Sequence, residues 1–159
     1  MRIEARPLSL LAPHYRVGLS ADSWTELWFD RPAGDARFFV EGRSYHARRL
    51  PGETLWRGLV RALRGRNLYQ LEEDGAVAAR ATGGGVDYHL WTEAGPEFRL
   101  RRDGMPVQLL RDGVSMGHAG PRGLMARGLW AEFSPDVPAP IRLFAVWLLL
   151  CRWEIQHRA

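Results

Sequence analysis

The residues that could carry chemistry in this chain are few and scattered. Gly113-Val114-Ser115-Met116-Gly117 matches the G-x-S-x-G pattern of a nucleophile elbow, and Glu132, Asp136 and His157 follow in the chain order of serine hydrolases. That chemistry needs a strained strand-to-helix turn that exposes the serine above a parallel sheet. Here Asp112-Gly113 reads as a turn that opens a hairpin strand, and His118-Ala119-Gly120-Pro121 follows without any helical pattern. His157 stands close to the end of the chain. The expectation is therefore an outward-facing strand serine, with a serine hydrolase as the remote alternative.

Other candidates carry less. His14, His46, His89 and His118 occur singly, without an i,i+4 pair or a nearby cysteine, so no spacing argues for a metal. They are expected at the surface. Cys151, the one cysteine, lies in an apolar run and is expected to be a buried, inert thiol. Gly83-Gly84-Gly85 lacks the Lys-Ser/Thr of a phosphate loop and reads as a hairpin turn. No cofactor is implied.

Charge narrows the partners. The chain has 22 basic residues, all arginine, against 18 acidic ones, a net charge of +4. That excess is mild and dispersed, so nucleic acid is not expected. Arginine's planar fork does suit carboxylate and phosphate. The N-terminal Met1–Pro13 holds only a short apolar stretch, Leu8–Ala12, too short for a signal h-region. A cytoplasmic location follows as the expectation, with peripheral membrane contact as a variant of it.

The elements that must position these residues are mostly strands. At 159 residues the chain suits one domain spanning 1–159, and 17 glycines with 10 prolines suit short strands and tight turns. A correct register must place apolar residues opposite apolar residues. A two-residue turn at Asp103-Gly104 sets Leu100 against Val107 and Phe98 against Leu109. Asp112-Gly113 sets Leu109 against Met116. The turn Thr82–Gly85 pairs Ala81 with Val86, and the loop Thr92–Pro96 carries Leu90 to Phe98 and Tyr88 to Leu100. At Asp74-Gly75 a two-residue turn would put Tyr69 and Leu71 on the wrong face. A three-residue loop Glu73-Asp74-Gly75 with a bulge restores Leu71–Val77. The result is an antiparallel meander from Leu68 to about Met116.

Upstream, Arg2–Leu8, Tyr15–Ser20, Trp24–Asp30, Arg37–Glu41 and Arg43–Arg49 read as strands, with Phe38 near Tyr45. Leu124–Phe133 adds another, making about twelve. Thr54–Arg64 reads as an amphipathic helix, with Leu55, Leu59 and Leu63 on one side and Arg57, Arg61 and Arg64 on the other. A second helix follows Pro138 and Pro140 over 141–153, with no polar residue from Leu143 to Cys151. A helix apolar all round must be surrounded. It is also shorter than the ~20 residues needed to span a bilayer. The meander is therefore expected to close around it, and a barrel wide enough for a helix needs roughly eleven or twelve strands.

This pattern resembles the tubby C-terminal-like superfamily, which also takes in phospholipid scramblases and LURP-one-related proteins. The residues that carry the resemblance are the end segment from Phe133-Ser134-Pro135-Asp136-Val137-Pro138 through Leu148-Leu149-Leu150, with the preceding Asp-Gly hairpins. The resemblance implies a twelve-stranded barrel around a hydrophobic C-terminal helix, and a binding or tethering role that often involves phosphoinositide or other lipid contact. The reading is a non-enzymatic binding domain that contacts anionic lipid headgroups or phosphate-bearing ligands through arginines; the alternative is a soluble protein-interaction scaffold. The arginines expected to serve are Arg57, Arg61 and Arg64 on the amphipathic helix. Arg99 and Arg101 stand with them on the outer sheet face, where Arg80, Asp87 and Arg101 form one cross-strand row and His89 stands beside Arg99.

Overall fold

The computed structural model describes residues 2–7, 14–18, 24–30, 35–40, 42–50, 67–84, 87–93, 95–102, 106–121 and 128–156. The expected helix Thr54–Arg64, with Arg57, Arg61 and Arg64, lies outside these residues, as do Leu124–Arg127 and His157.

Twelve strands form one closed antiparallel barrel: β1 (Arg2–Pro7), β2 (His14–Gly18), β3 (Trp24–Asp30), β4 (Asp35–Val40), β5 (Arg43–Leu50), β6 (Asn67–Glu73), β7 (Ala76–Gly84), β8 (Asp87–Trp91), β9 (Glu97–Arg101), β10 (Val107–Arg111), β11 (Val114–Pro121) and β12 (Leu129–Phe133). Each strand pairs with its neighbours in the chain, and β1 closes the ring on β12 through Ile3 opposite Ala131. Closure leaves no free edge for aberrant pairing.

Inside runs α1 (Ala139–Gln156), longer at both ends than the sequence pattern alone suggests. Its first bond is the amide of Arg142 donating to the carbonyl of Pro138, 3.1 Å. Pro140 falls in the first turn, where a missing N–H costs no helical bond. The Arg142 Nε also donates to the carbonyl of Val137, 2.7 Å, which ties the entry of the helix to the chain before it. Every side chain from Leu143 to Leu150 is buried. Only the barrel wall can cover a helix on all sides, and the wall's inward residues belong to the same core.

The wall makes room with small residues. Ala36, Ala47 and Ala79 line part of it, with Ala5, Ala81, Ala119 and Ala131 elsewhere, all buried. The helix comes closest to β7 and β12, where Ala79, Ala81 and Ala131 face in. Trp147 meets Tyr69 edge-on at 5.8 Å and stacks near Phe144 at 5.5 Å.

Several expected registers hold: Phe38 faces Tyr45, Leu90 faces Phe98 and Tyr88 faces Leu100. Others shift. Leu100 faces Leu109, not Val107, and Ala81 faces Leu90, not Val86. Both errors are even-numbered slips, which keep every side chain on its face, so apolar matching cannot detect them. At Asp74-Gly75 the turn does have two residues, both left-handed (φ 50° and 87°), with Glu73 opposite Ala76. The face is restored by a bulge one pair further on, so Leu71 faces Ala79. The Asp112-Gly113 turn is as expected, but a bulge there moves Leu109 from Met116 to Gly117.

The turn at Asp74 is locked to β5. Ser44 and Asp74 exchange bonds, with the Asp74 amide on the Ser44 carbonyl at 2.8 Å and the Ser44 amide on the Asp74 carboxylate at 2.9 Å. Beside it, burial and then the Glu73 carboxylate push the Tyr45 hydroxyl up to about 12. In the unfolded chain this tyrosine ionises near ~10. Its contribution is thus complete below pH ~10 and is lost as pH rises toward ~12. Urea midpoints taken near pH ~9 and ~11.5 should therefore fall more steeply for the wild type than for Tyr45→Phe. Equal slopes would show that Tyr45 does not couple ionisation to folding.

Candidate functional site

The barrel interior is filled, so any partner must be met on the outer wall or at the rims. Alternation decides which side chains stand outward. On β9, Phe98 and Leu100 point in, so Arg99 and Arg101 point out, as expected. Arg99 grips Asp87 with both prongs, Nε to Oδ1 at 3.0 Å and a terminal nitrogen to Oδ2 at 2.7 Å. That bond to Arg99 holds the Asp87 carboxyl below its ordinary range. Arg101 faces Asp87 in register and His89 faces Arg99. Arg80 does not join them. With β7 and β8 paired four residues further along than expected, it faces Trp91 and lies 3.8 Å from Glu93.

The serine motif resolves into backbone geometry. Asp112 and Gly113 are both left-handed (φ 52° and 79°), which is the demand of a two-residue hairpin turn. At Gly117 an added Cβ would stand 2.5 Å from the Glu132 carbonyl oxygen and 2.6 Å from the Phe133 ring. Gly113 thus serves the hairpin turn, and Gly117 the close approach of β11 to β12. Ser115 is exposed and faces Leu110. The acids that follow it meet other groups: Glu132 lies 3.6 Å from His118, and Asp136 meets the Ser134 hydroxyl at 3.3 Å. Ser115→Ala should leave the melting temperature unchanged, within about 0.5 kcal/mol of stability. Covalent labelling of Ser115 by a fluorophosphonate would contradict this assignment.

Three of the histidines are less solitary than their spacing suggests. His14 lies 3.1 Å from Glu26 and stacks on Trp28 at 3.4 Å. His46 stands 3.6 Å from both Asp35 and Glu72, and His118 pairs with Glu132 beside Trp130. Strand pairing brings each imidazole to a carboxylate that is remote in the sequence. Among the described residues no three such groups converge as a metal site. Cys151 is half-buried against the core, more open than its apolar neighbours suggest.

Glu72 is the densest charged node. It takes Arg48 at 2.6 Å and Gln70 at 2.7 Å, with His46 beyond. Arg43 likewise binds Glu73, and Arg2 and Arg6 both reach Glu4. Among the described residues much of the outer wall is a mosaic of paired charges rather than a positive face.

One group escapes that pattern and was missed by sequence reasoning. Trp28 and Phe39 are 54% and 67% exposed on adjacent strands. Arg37, between them, faces Trp28 across the β3–β4 ladder and precedes Phe39 on the same face. The signal was available: with Leu27 and Phe38 inward, alternation forces Trp28 and Phe39 out.

Comparison with family models, with curated proteins and with solved structures returns no match for this chain. Among the described residues no helix is long and apolar enough to cross a membrane.

Proposed function

We propose that this chain is a non-enzymatic binding domain that uses the outer wall of its barrel to hold a partner, and that the partner is a protein. The observation that carries this is the occupied interior: α1 fills the space in which other barrels bind small ligands. Recognition then falls to the surface. The mixed charge of this wall favours a partner that brings charges of both signs, since Arg6, Arg43, Arg48 and Arg99 each already hold a carboxylate.

The reading of anionic lipid contact rests on the +4 net charge and on Arg57, Arg61 and Arg64. It draws also on the resemblance of the sequence to the tubby-like proteins, among which lipid contact is common, a resemblance compatible with a closed twelve-strand barrel and a C-terminal helix.

Sedimentation with phosphatidylcholine vesicles, with and without phosphatidylserine or phosphoinositide, separates the two. The protein reading expects no sedimentation with either vesicle. Salt-sensitive binding to the anionic vesicles, weakened about a hundredfold by changing Arg57, Arg61 and Arg64 to Gln, would overturn it in favour of lipid, at about 1 kcal/mol per arginine. Turnover in an esterase panel that Ser115→Ala abolishes would overturn the non-enzymatic reading.

A further inference from the structure

We infer that Trp28, Arg37 and Phe39 form the docking site, and that it takes a segment of a protein partner bearing a carboxylate flanked by apolar side chains. The inference deepens the protein-binding reading and rests on it.

Large apolar side chains left in water are informative when they cluster. Here two aromatics flank a single cation, all three on the outer face of β3 and β4. Tryptophan, arginine and aromatic residues are the types that dominate binding energy at protein interfaces. Arg37 is exposed and has no carboxylate partner among the described residues, whereas Arg43, Arg48 and Arg99 each have one. Its planar fork is therefore available for a carboxylate, which it can hold in two parallel bonds.

The surroundings select the class of partner. Glu26, two residues before Trp28 on β3, is engaged by His14 at 3.1 Å, while Asp35 and Glu72 flank His46 at 3.6 Å. Glu72 is also held by Arg48 and Glu26 faces Arg16, so this rim offers no positive field to an anionic bilayer or a nucleic-acid backbone, but suits a protein that places one acid at the centre and mixed charge at the edge. Because the barrel is closed, β3 and β4 offer no edge for strand addition, so the contact is made by side chains. The site is also held in advance. His14 stacks on the Trp28 ring at 3.4 Å, which restricts that side chain before any partner arrives. Less side-chain freedom is then lost on binding.

The test is a displayed random peptide library selected on the whole protein, followed by affinities for the selected peptides. Enrichment of Asp or Glu flanked by apolar residues is expected, with affinity falling about tenfold or more for Arg37→Glu and for Trp28→Ala. Val114→Ser, an exposed apolar residue elsewhere, should change nothing. Unchanged melting temperatures confirm that the variants fold. Peptides that bind the Arg37 and Trp28 variants as well as the wild type would overturn this site while leaving the binding role intact. No enrichment would overturn the site, and so would a concentration-dependent dimer that Trp28→Ala dissolves, which would assign the face to a second copy. Binding to anionic vesicles lost in Arg37→Glu would overturn the choice of a protein partner.

Discussion

A chain that ends at Pro140 is expected to be recovered as aggregate, or as a species with strand content but no cooperative melt. Removing α1 deletes Leu143, Phe144, Val146, Trp147, Leu148 and Leu150, all buried. At about 1.5–3 kcal/mol for each buried side chain the loss exceeds the ~5–15 kcal/mol by which a domain is stable. The barrel cannot compensate by collapse, because its diameter is set by twelve hydrogen-bonded strands and its wall is lined with alanines. A graded form of the experiment keeps the fold measurable: Trp147→Ala should cost about 3–5 kcal/mol by urea denaturation. A soluble monomer ending at Pro140 with a sharp melt would show that the barrel stands without its helix.

The second large effect is expected at Gly117. An alanine Cβ there would lie 2.5 Å from the Glu132 carbonyl oxygen, 2.6 Å from Phe133 Cδ1 and 2.9 Å from Phe133 Cα. Two of those atoms are backbone, so β11 and β12 must part and lose register where Gly117 faces Phe133. A loss of about 3 kcal/mol is expected, at the upper end of overpacking. Set beside the neutral Ser115→Ala, this separates backbone fit from nucleophile chemistry. If Gly117 were kept for an active site, Gly117→Ala would spare stability; a change under about 0.5 kcal/mol would refute the packing account.

Much of the architecture was legible because it follows from period and length. The apolar run from Leu143 to Leu150 has no polar face, so it had to be enclosed, and strand alternation supplied the enclosing surface. The hairpins at Gly42 and Asp112-Gly113 were legible from turn residues that tolerate positive φ; at Asp74-Gly75 the turn was located but its length was read as three residues instead of two, because the bulge that restores the face lies inside the strand. What failed was register within a face, at Leu100–Leu109 and Ala81–Leu90. A slip of two or four residues leaves the apolar pattern intact, so only the joint fit of twelve strands to one helix can select among the alternatives.

The candidate site was less legible than the fold. Arg99 and Arg101 were placed on the correct outer face, but that Asp87 would take both prongs of Arg99 depends on side-chain geometry that register alone does not supply. The exposure of Trp28 and Phe39 follows from the inward turn of Leu27 and Phe38, a local rule; their place beside an arginine that has no carboxylate among the described residues does not. By itself the sequence determined a strand-rich single wall, its turns and a helix that must be buried, since these depend on residue types at short spacing. Tertiary structure alone decided which of the described charges neutralise one another, and that Arg37 has no carboxylate among the described residues. Those pairings join strands distant in the chain, and their energies depend on distances that only the closed barrel sets.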